Sequence, residues 1–179
     1  LETEKSVECL SVTEVESDSG PFRLMTYRDS INNQWHLALL LGEVDPAKPM
    51  LVRVHVQNPL SDVLSINRED FGLPLRLAMA EIARHGEGMV LVLGGIEDDD
   101  HLLRRIQEER HPSITQSGDS RQSSELRTYG IGAQIIVDMG IRKMRVLSAP
   151  KRMTGLAGFG LEVVEYVECD PASIQGQEN

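Results

Sequence analysis

Arg145, Lys151 and Arg152 are residues whose type suits holding an anion, since cations gathered near a helix N-terminus hold phosphate-like groups. The run Ser148-Ala149-Pro150-Lys151-Arg152 adds a hydroxyl, and Arg145 lies just before it. With Arg53 and Arg127 added, the candidate anion-binding set is Arg53, Arg127, Ser148, Lys151 and Arg152. The plainer alternative makes Arg127 and Lys151 surface cations that stabilise helix ends, and it carries more weight. A metal site from His55, Glu69 and Asp70 is disfavoured. His55 sits on an alternating stretch beside Val54 and Val56, and two adjacent carboxylates usually form a solvated turn. Gly94-Gly95 is not followed by Gly-x-x-x-x-Gly-Lys-Ser/Thr or Gly-x-Gly-x-x-Gly, so it reads as a turn and not as a phosphate loop. No Ser, Thr, Asp or Arg pattern supplies a nucleophile with its base. Cys9, on a ragged terminal stretch, reads as a structural or exposed thiol.

The chain that must position these groups has 179 residues, 40% hydrophobic and 26% charged with 4% aromatic, which suits one globular domain. Its net charge of -10 argues against binding a nucleic-acid backbone or anionic lipid. Two cysteines, Cys9 and Cys169, are too few for a disulfide scaffold, and no apolar run is long enough for a membrane span or resembles a signal peptide. The expected location is the reducing cytoplasm. The opening Leu1-Glu2-Thr3-Glu4-Lys5 has no initiator Met, as expected of a piece cut from a longer protein, although tag removal or processing would look the same.

Periodicity predicts a β-rich first part. Val7 to Val15, Phe22 to Tyr27, Trp35 to Val44 and Met50 to Val56 read as closely spaced strands of an antiparallel sheet. Leu73 to His85 has apolar residues at helical spacing and ends at Gly86. Met89 to Leu93 is continuously apolar, as in a strand buried on both faces. A helix is expected over Asp98 to Glu109, a mobile loop over His111 to Ser124, and a helix over Ser124 to Met139 despite Gly130 and Gly132. A strand at Met144 to Leu147, a short helix at Pro150 to Leu156 and a strand at Leu161 to Val167 follow. The fold class is α+β (mixed α/β), an antiparallel β-rich part followed by βαβ-like units. Residues 1–19 form a linker or leading strand, 20–168 the domain and 169–179 a flexible tail.

Several of these segments, in this order, resemble GTP cyclohydrolase II of riboflavin biosynthesis. They are Gly20-Pro21-Phe22, Pro49-Met50-Leu51-Val52-Arg53-Val54-His55, and Ala80-Glu81-Ile82-Ala83 with Gly86-Glu87-Gly88-Met89-Val90-Leu91. The most specific is Arg127-Thr128-Tyr129-Gly130-Ile131-Gly132-Ala133-Gln134, followed by Gly140-Ile141, Met144-Arg145-Val146-Leu147 and Gly160-Leu161-Glu162-Val163-Val164-Glu165. The resemblance covers roughly residues 20 to 168 and implies a cyclohydrolase II-like fold.

The departures from the family pattern lie in its reaction centre. The family binds zinc through three cysteines, and this chain has Asn58, Glu69 and Phe71 at those positions. Asn is a poor zinc ligand and Phe cannot be one. Zinc there polarises a water for attack on the purine ring, and no other residue replaces that role. The family's Arg-Gln-Glu-Gly-Arg loop is replaced by Gly94-Gly95-Ile96-Glu97-Asp98, followed by Asp99-Asp100. A carboxylate within ~4 Å of a phosphate costs about 1 kcal/mol in water and about 4 kcal/mol at an effective dielectric of 20. Arg127 matches the arginine implied to attack the α-phosphorus, but the aspartate two positions earlier is Glu125, so both are treated as vestigial.

The resemblance therefore implies a domain without cyclohydrolase chemistry. Such domains commonly follow a 3,4-dihydroxy-2-butanone 4-phosphate synthase domain, which this one would serve in assembly, stability or regulation, as a homodimer. No cofactor is expected: zinc is absent, and magnesium serves a fused synthase domain only. The rival readings are a diverged cyclohydrolase that converts GTP to a diaminopyrimidine, formate and pyrophosphate, and a ligand-sensing module using the old pocket.

Overall fold

The computed structural model describes residues 5–66, 72–94, 129–148 and 156–169. The helix expected over 98–109 and the loop over 111–124 fall outside these residues, as does nearly all of the tail. Glu69, Phe71, Glu125, Arg127, Lys151 and Arg152 fall outside them too.

The described chain is a mixed α+β structure on one seven-stranded sheet. Its strands are β1 (Val7–Ser17), β2 (Gly20–Asp29), β3 (Gln34–Leu41), β4 (Met50–Val56), β5 (Gly88–Leu93), β6 (Lys143–Leu147) and β7 (Glu162–Val167). They lie in the order β1-β2-β3-β5-β4-β6-β7. The first three form antiparallel hairpins, turned by Gly20 at φ 101° and by Asn33 at φ 52°. Asp29 holds the second turn: its carboxylate accepts from the Ile31 amide at 3.0 Å and from Asn32 Nδ2 at 2.8 Å.

The expectation that the first four strands form one antiparallel sheet is corrected here. β4 does not pair with β3; β5 lies between them, antiparallel to β3 and parallel to β4. The physical reason lies in composition. All six residues of β5 are buried, so it takes the central place, whereas β4 carries the polar Arg53 and His55 and sits one strand further out. A parallel β4–β5 pair needs a crossover, which the helices α1 (Pro59–Asp62) and α2 (Leu75–His85) supply.

Alternation along β5 divides the core. Met89, Leu91 and Leu93 point to one face, where they pack with Ile131, Ala133, Ile135 and Ile136 of a third helix, α3, over residues 129–138. Val90 and Val92 point to the other face and pack with Ala78 and Ile82 of α2. Each helix thus covers one side of the sheet. α2 stops at Gly86, which at φ 85° donates its amide to the Ile82 and Ala83 carbonyls, both at 3.1 Å.

The tightest glycine packing lies at Gly88, not at Gly130 or Gly132. A Cβ on Gly132 would meet Leu91 and Leu93 at 3.6 and 3.7 Å, an ordinary contact, and one on Gly130 would stand in open space. At Gly88, with φ 148°, it would lie 2.8 Å from both the Leu51 carbonyl oxygen and Ile82 Cδ1. Only glycine lets the helix return this closely to the sheet. β3 ends at Leu41, earlier than expected, because Gly42 turns the chain at φ 87°. The short helix expected at 150–156 falls outside the described residues except for Leu156, which opens a 3-10 turn, Leu156–Phe159.

Candidate functional site at the carboxyl edge of the parallel strands

β4, β5 and β6 run parallel, so their carboxyl ends meet at one edge, where open α/β sheets usually place their sites. Arg53, His55, Asn58, Gly94 and Ser148 all belong to this edge or to the turns leaving it.

Asn58 caps α1. Its backbone is extended at φ -134° and its side-chain oxygen accepts from the Leu60 amide at 3.1 Å. Pro59 follows at the first helical position, where a missing N–H costs nothing. The Asn58 amide donates to Asp62 at 2.9 Å, and the Asp62 carboxylate also accepts from His55 Nε2 at 2.9 and 3.0 Å and from the Ser61 hydroxyl at 3.3 Å. The His55 and Asp62 side chains are 4% and 9% exposed, so the pair is sealed from water. His55, Asn58 and Asp62 thus form a largely buried polar cluster in which each residue has at least one partner.

Arg53 is similarly engaged. Its Nη1 donates to the Leu147 carbonyl at 3.1 Å and its Nη2 to the Leu73 carbonyl at 3.4 Å, which ties β4 to the end of β6 and to the approach of α2. Its Nε is buried without a partner among the described residues. Burial disfavours the Arg53 charge, and Cys169 nearby acts in the opposite sense. Ser148 immediately follows the clamped carbonyl, and its amide donates to Val146. Of the candidate anion-binding residues, the described Arg53 and Ser148 therefore lie side by side at this edge.

The sequence reading missed two partners. Asp62 was one, although Asn58-Pro59-Leu60-Ser61-Asp62 carries an N-cap, a proline at the first helical position and an acid in the first turn. The other was His36, fully buried on β3. Its Nδ1 accepts from the Gly94 amide at 3.1 Å, while its Nε2 has no partner among the described residues. Burial pushes the His36 pKa below its ordinary value, against the opposing effect of Asp29, and an acceptor role at Nδ1 requires the neutral ring. No local sequence signal marks this long-range contact.

Gln134, in the most specific of the matched motifs, serves the fold. Its oxygen accepts from the Ser6 amide at 2.8 Å and the Ser6 hydroxyl at 3.2 Å. Four residues on, Asp138 accepts from the Tyr27 hydroxyl at 3.0 Å and pairs with Lys5. Tyr27 is fully buried, and burial together with Asp138 pushes its phenol far above the ordinary range. α3 thus fastens the start of β1 to the sheet.

Comparison with known proteins agrees with this architecture. A family model described as GTP cyclohydrolase II matches residues 8–168. A 3,4-dihydroxy-2-butanone 4-phosphate synthase of Pseudomonas aeruginosa is 41% identical over 167 residues, covering 93% of this chain and 45% of its own length. A riboflavin biosynthesis protein RibBA of Bacillus cereus is 35% identical over 170 residues, covering 89% of this chain and 43% of its own. The crystal structure of RibBX, a two domain 3,4-dihydroxy-2-butanone 4-phosphate synthase from A. baumannii, matches with a TM-score of 0.60 and 30% identity, over 92% of this chain and 41% of that one. The chain spans less than half the length of these relatives.

These relatives overturn the expectation of no cofactor. Dihydroxybutanone phosphate synthases need a divalent metal ion, magnesium or manganese, so a cofactor-free account does not stand. Among the described residues no group of three or more His, Cys, Asp or Glu could hold a metal ion, and these residues offer no step that runs through one. No helix among them is long and apolar enough to cross a membrane. The family model over nearly the whole chain and the relatives in riboflavin biosynthesis agree: this chain belongs to the GTP cyclohydrolase II family.

Proposed function

We propose that this chain is a cyclohydrolase II-like domain that has lost GTP hydrolysis and serves the assembly, stability or regulation of a 3,4-dihydroxy-2-butanone 4-phosphate synthase domain in the cytoplasm. The observation that carries the reading is Asn58. At a position where the family places a thiolate, its side chain caps α1, inside a buried cluster with Asp62 and His55. Polar groups engaged with internal partners stabilise a fold and have less left for a substrate.

The relatives support the second half of the reading. They are named for a synthase, yet the matched part, less than half of each, corresponds to the cyclohydrolase II model. The activity in their name then resides in the part this chain does not span. In this reading Arg53 is a structural clamp, and any residual anion binding falls to Arg127, Ser148, Lys151 and Arg152. Homodimer formation belongs to the proposal as well. β1 is an edge strand with Leu10 and Val12 exposed, and its outer side has no strand partner among the described residues.

The test is deletion of this domain from the polypeptide that carries the synthase, with dihydroxybutanone phosphate formation, thermal stability and assembly measured together. A fall in at least one is expected. No change in any of them rejects the support role.

A further inference from the structure

Among the described residues, the face of the sheet that carries α2 is only partly covered. Register places His55, Val92, Leu37 and Thr26 side by side across β4, β5, β3 and β2 on this face. α2 covers the rows nearer Leu39 and Leu41, whereas Leu37 is 38% exposed and Trp35, two residues back on the same face, is 55% exposed. The His55–Asp62 contact lays α1 over the same face at β4, two strands from β3 and so about 10 Å away. The residues leaving α1 are exposed and apolar: Val63 is 74%, Leu64 63% and Ile66 41% exposed.

A large aromatic and four aliphatic side chains thus crowd one end of one sheet face. In a chain of net charge -10, the segment Pro59 to Ile66 carries one carboxylate, Asp62, and that is buried against His55. An apolar patch that holds an exposed Trp, with the exposed Arg28 opposite Trp35 and Glu8 beyond it at its border, has the composition of an interface core with a charged rim.

We infer that this patch, centred on Trp35, Leu37 and Leu64, docks the synthase domain; the inference rests on the proposed function above. The occupant follows from length. The relatives named as synthases extend beyond the part matched here by more than half of their own length, and one is described as having two domains. A specific contact buries about 800 Å² on each side, and an exposed Trp with its aliphatic neighbours supplies the centre of such an area.

Trp35 is the chain's one tryptophan, so it reports on the patch alone. The experiment incorporates 5-fluorotryptophan into this chain and titrates it with the unlabelled synthase domain of its own polypeptide. Fluorine NMR and the mass of the complex are followed together. The expected result is association with a shifted Trp35 resonance that loses its solvent isotope effect. Leu64→Asp, outside the sheet, should weaken association about tenfold or more. Val164→Asp, on β7 at the far edge, should leave it unchanged. Leu37→Asp serves as a second test of the patch if its circular dichroism is that of the parent chain. Association with Trp35 still exposed would overturn the surface while leaving the support role standing. Absence of any association would remove both. A resonance shift with concentration in the chain alone would assign the patch to a second copy and overturn the inference.

Discussion

The parallel half of the sheet and its antiparallel half treat polar and apolar groups in opposite ways. In the parallel half, β5 and β4 lie beneath helices on both faces, and the polar residues at their carboxyl edge bond to one another or to nearby backbone: Asn58 to Leu60, Asp62 to His55, Arg53 to Leu73 and Leu147. In the antiparallel half, β3 leaves Trp35 and Leu37 open on one face, and β1 is exposed along most of its length. The first region has the position of a reaction centre and the chemistry of a scaffold. The second has the position of a scaffold and the surface of a contact. The difference shows that polar groups at the carboxyl edge of a parallel sheet can be spent on internal partners while apolar groups elsewhere on the same sheet stay open.

The largest expected effect is in the shared core. Leu91→Ala removes a fully buried side chain between α3 and the sheet and should lower unfolding free energy by roughly 3 kcal/mol, whereas Leu37→Ala on the open face should change it by about 0.5 kcal/mol or less. Urea titration of the two variants makes the comparison. Equal losses would mean that the open face is covered in the isolated chain.

The polar cluster comes next. Asp62→Ala leaves His55 Nε2 and the Asn58 amide without an acceptor and should cost about 2 kcal/mol, while Asn58→Ala, losing only the cap, should cost about 1 kcal/mol. A neutral Asp62→Ala would show that water replaces the carboxylate and that the cluster is not closed.

Acid should weaken the β3–β5 junction. The folded-state pKa of His36 lies below the ordinary value of 6.5, so between the two values the unfolded chain binds more protons than the folded one. Stability is therefore full above about 6.5 and falls as pH drops below it, towards the folded pKa. In His36→Gln, part of the slope of denaturation midpoint against pH should vanish below pH 6.5. The Glu81 carboxylate, held down by Arg84 first and His85 second, adds a loss only at lower pH, as it protonates below its ordinary 4.5. An unchanged slope in the variant would place the acid sensitivity elsewhere.

The smallest effect is at Gly130, where a Cβ meets nothing within 4 Å, so Gly130→Ala should stabilise α3 by about 0.5–1 kcal/mol. A loss would show that this glycine is needed for more than helix geometry.

Much of the fold was legible because its signals are local. The apolar run Met89 to Leu93 identified a buried strand, the spacing Leu77, Ala80 and Ala83 identified α2, and Gly86 marked its end. Strand order was not legible: alternation places residues on faces but does not say which strand is the neighbour, and so β5 entered between β3 and β4 unforeseen. At the edge, the N-cap signal of Asn58-Pro59 is local and readable, but a reading of Asn58 as a metal-ligand position draws attention away from the cap. His36 could not be found, because its contact with Gly94 joins residues 58 apart in sequence.

The central claim is that this edge now serves the fold instead of GTP hydrolysis, and formate release from GTP tests it most directly. With the purified chain, GTP and added divalent zinc or magnesium, the account expects no formate above the enzyme-free rate. Sustained, protein-dependent formate release that disappears in Arg127→Ala would contradict it.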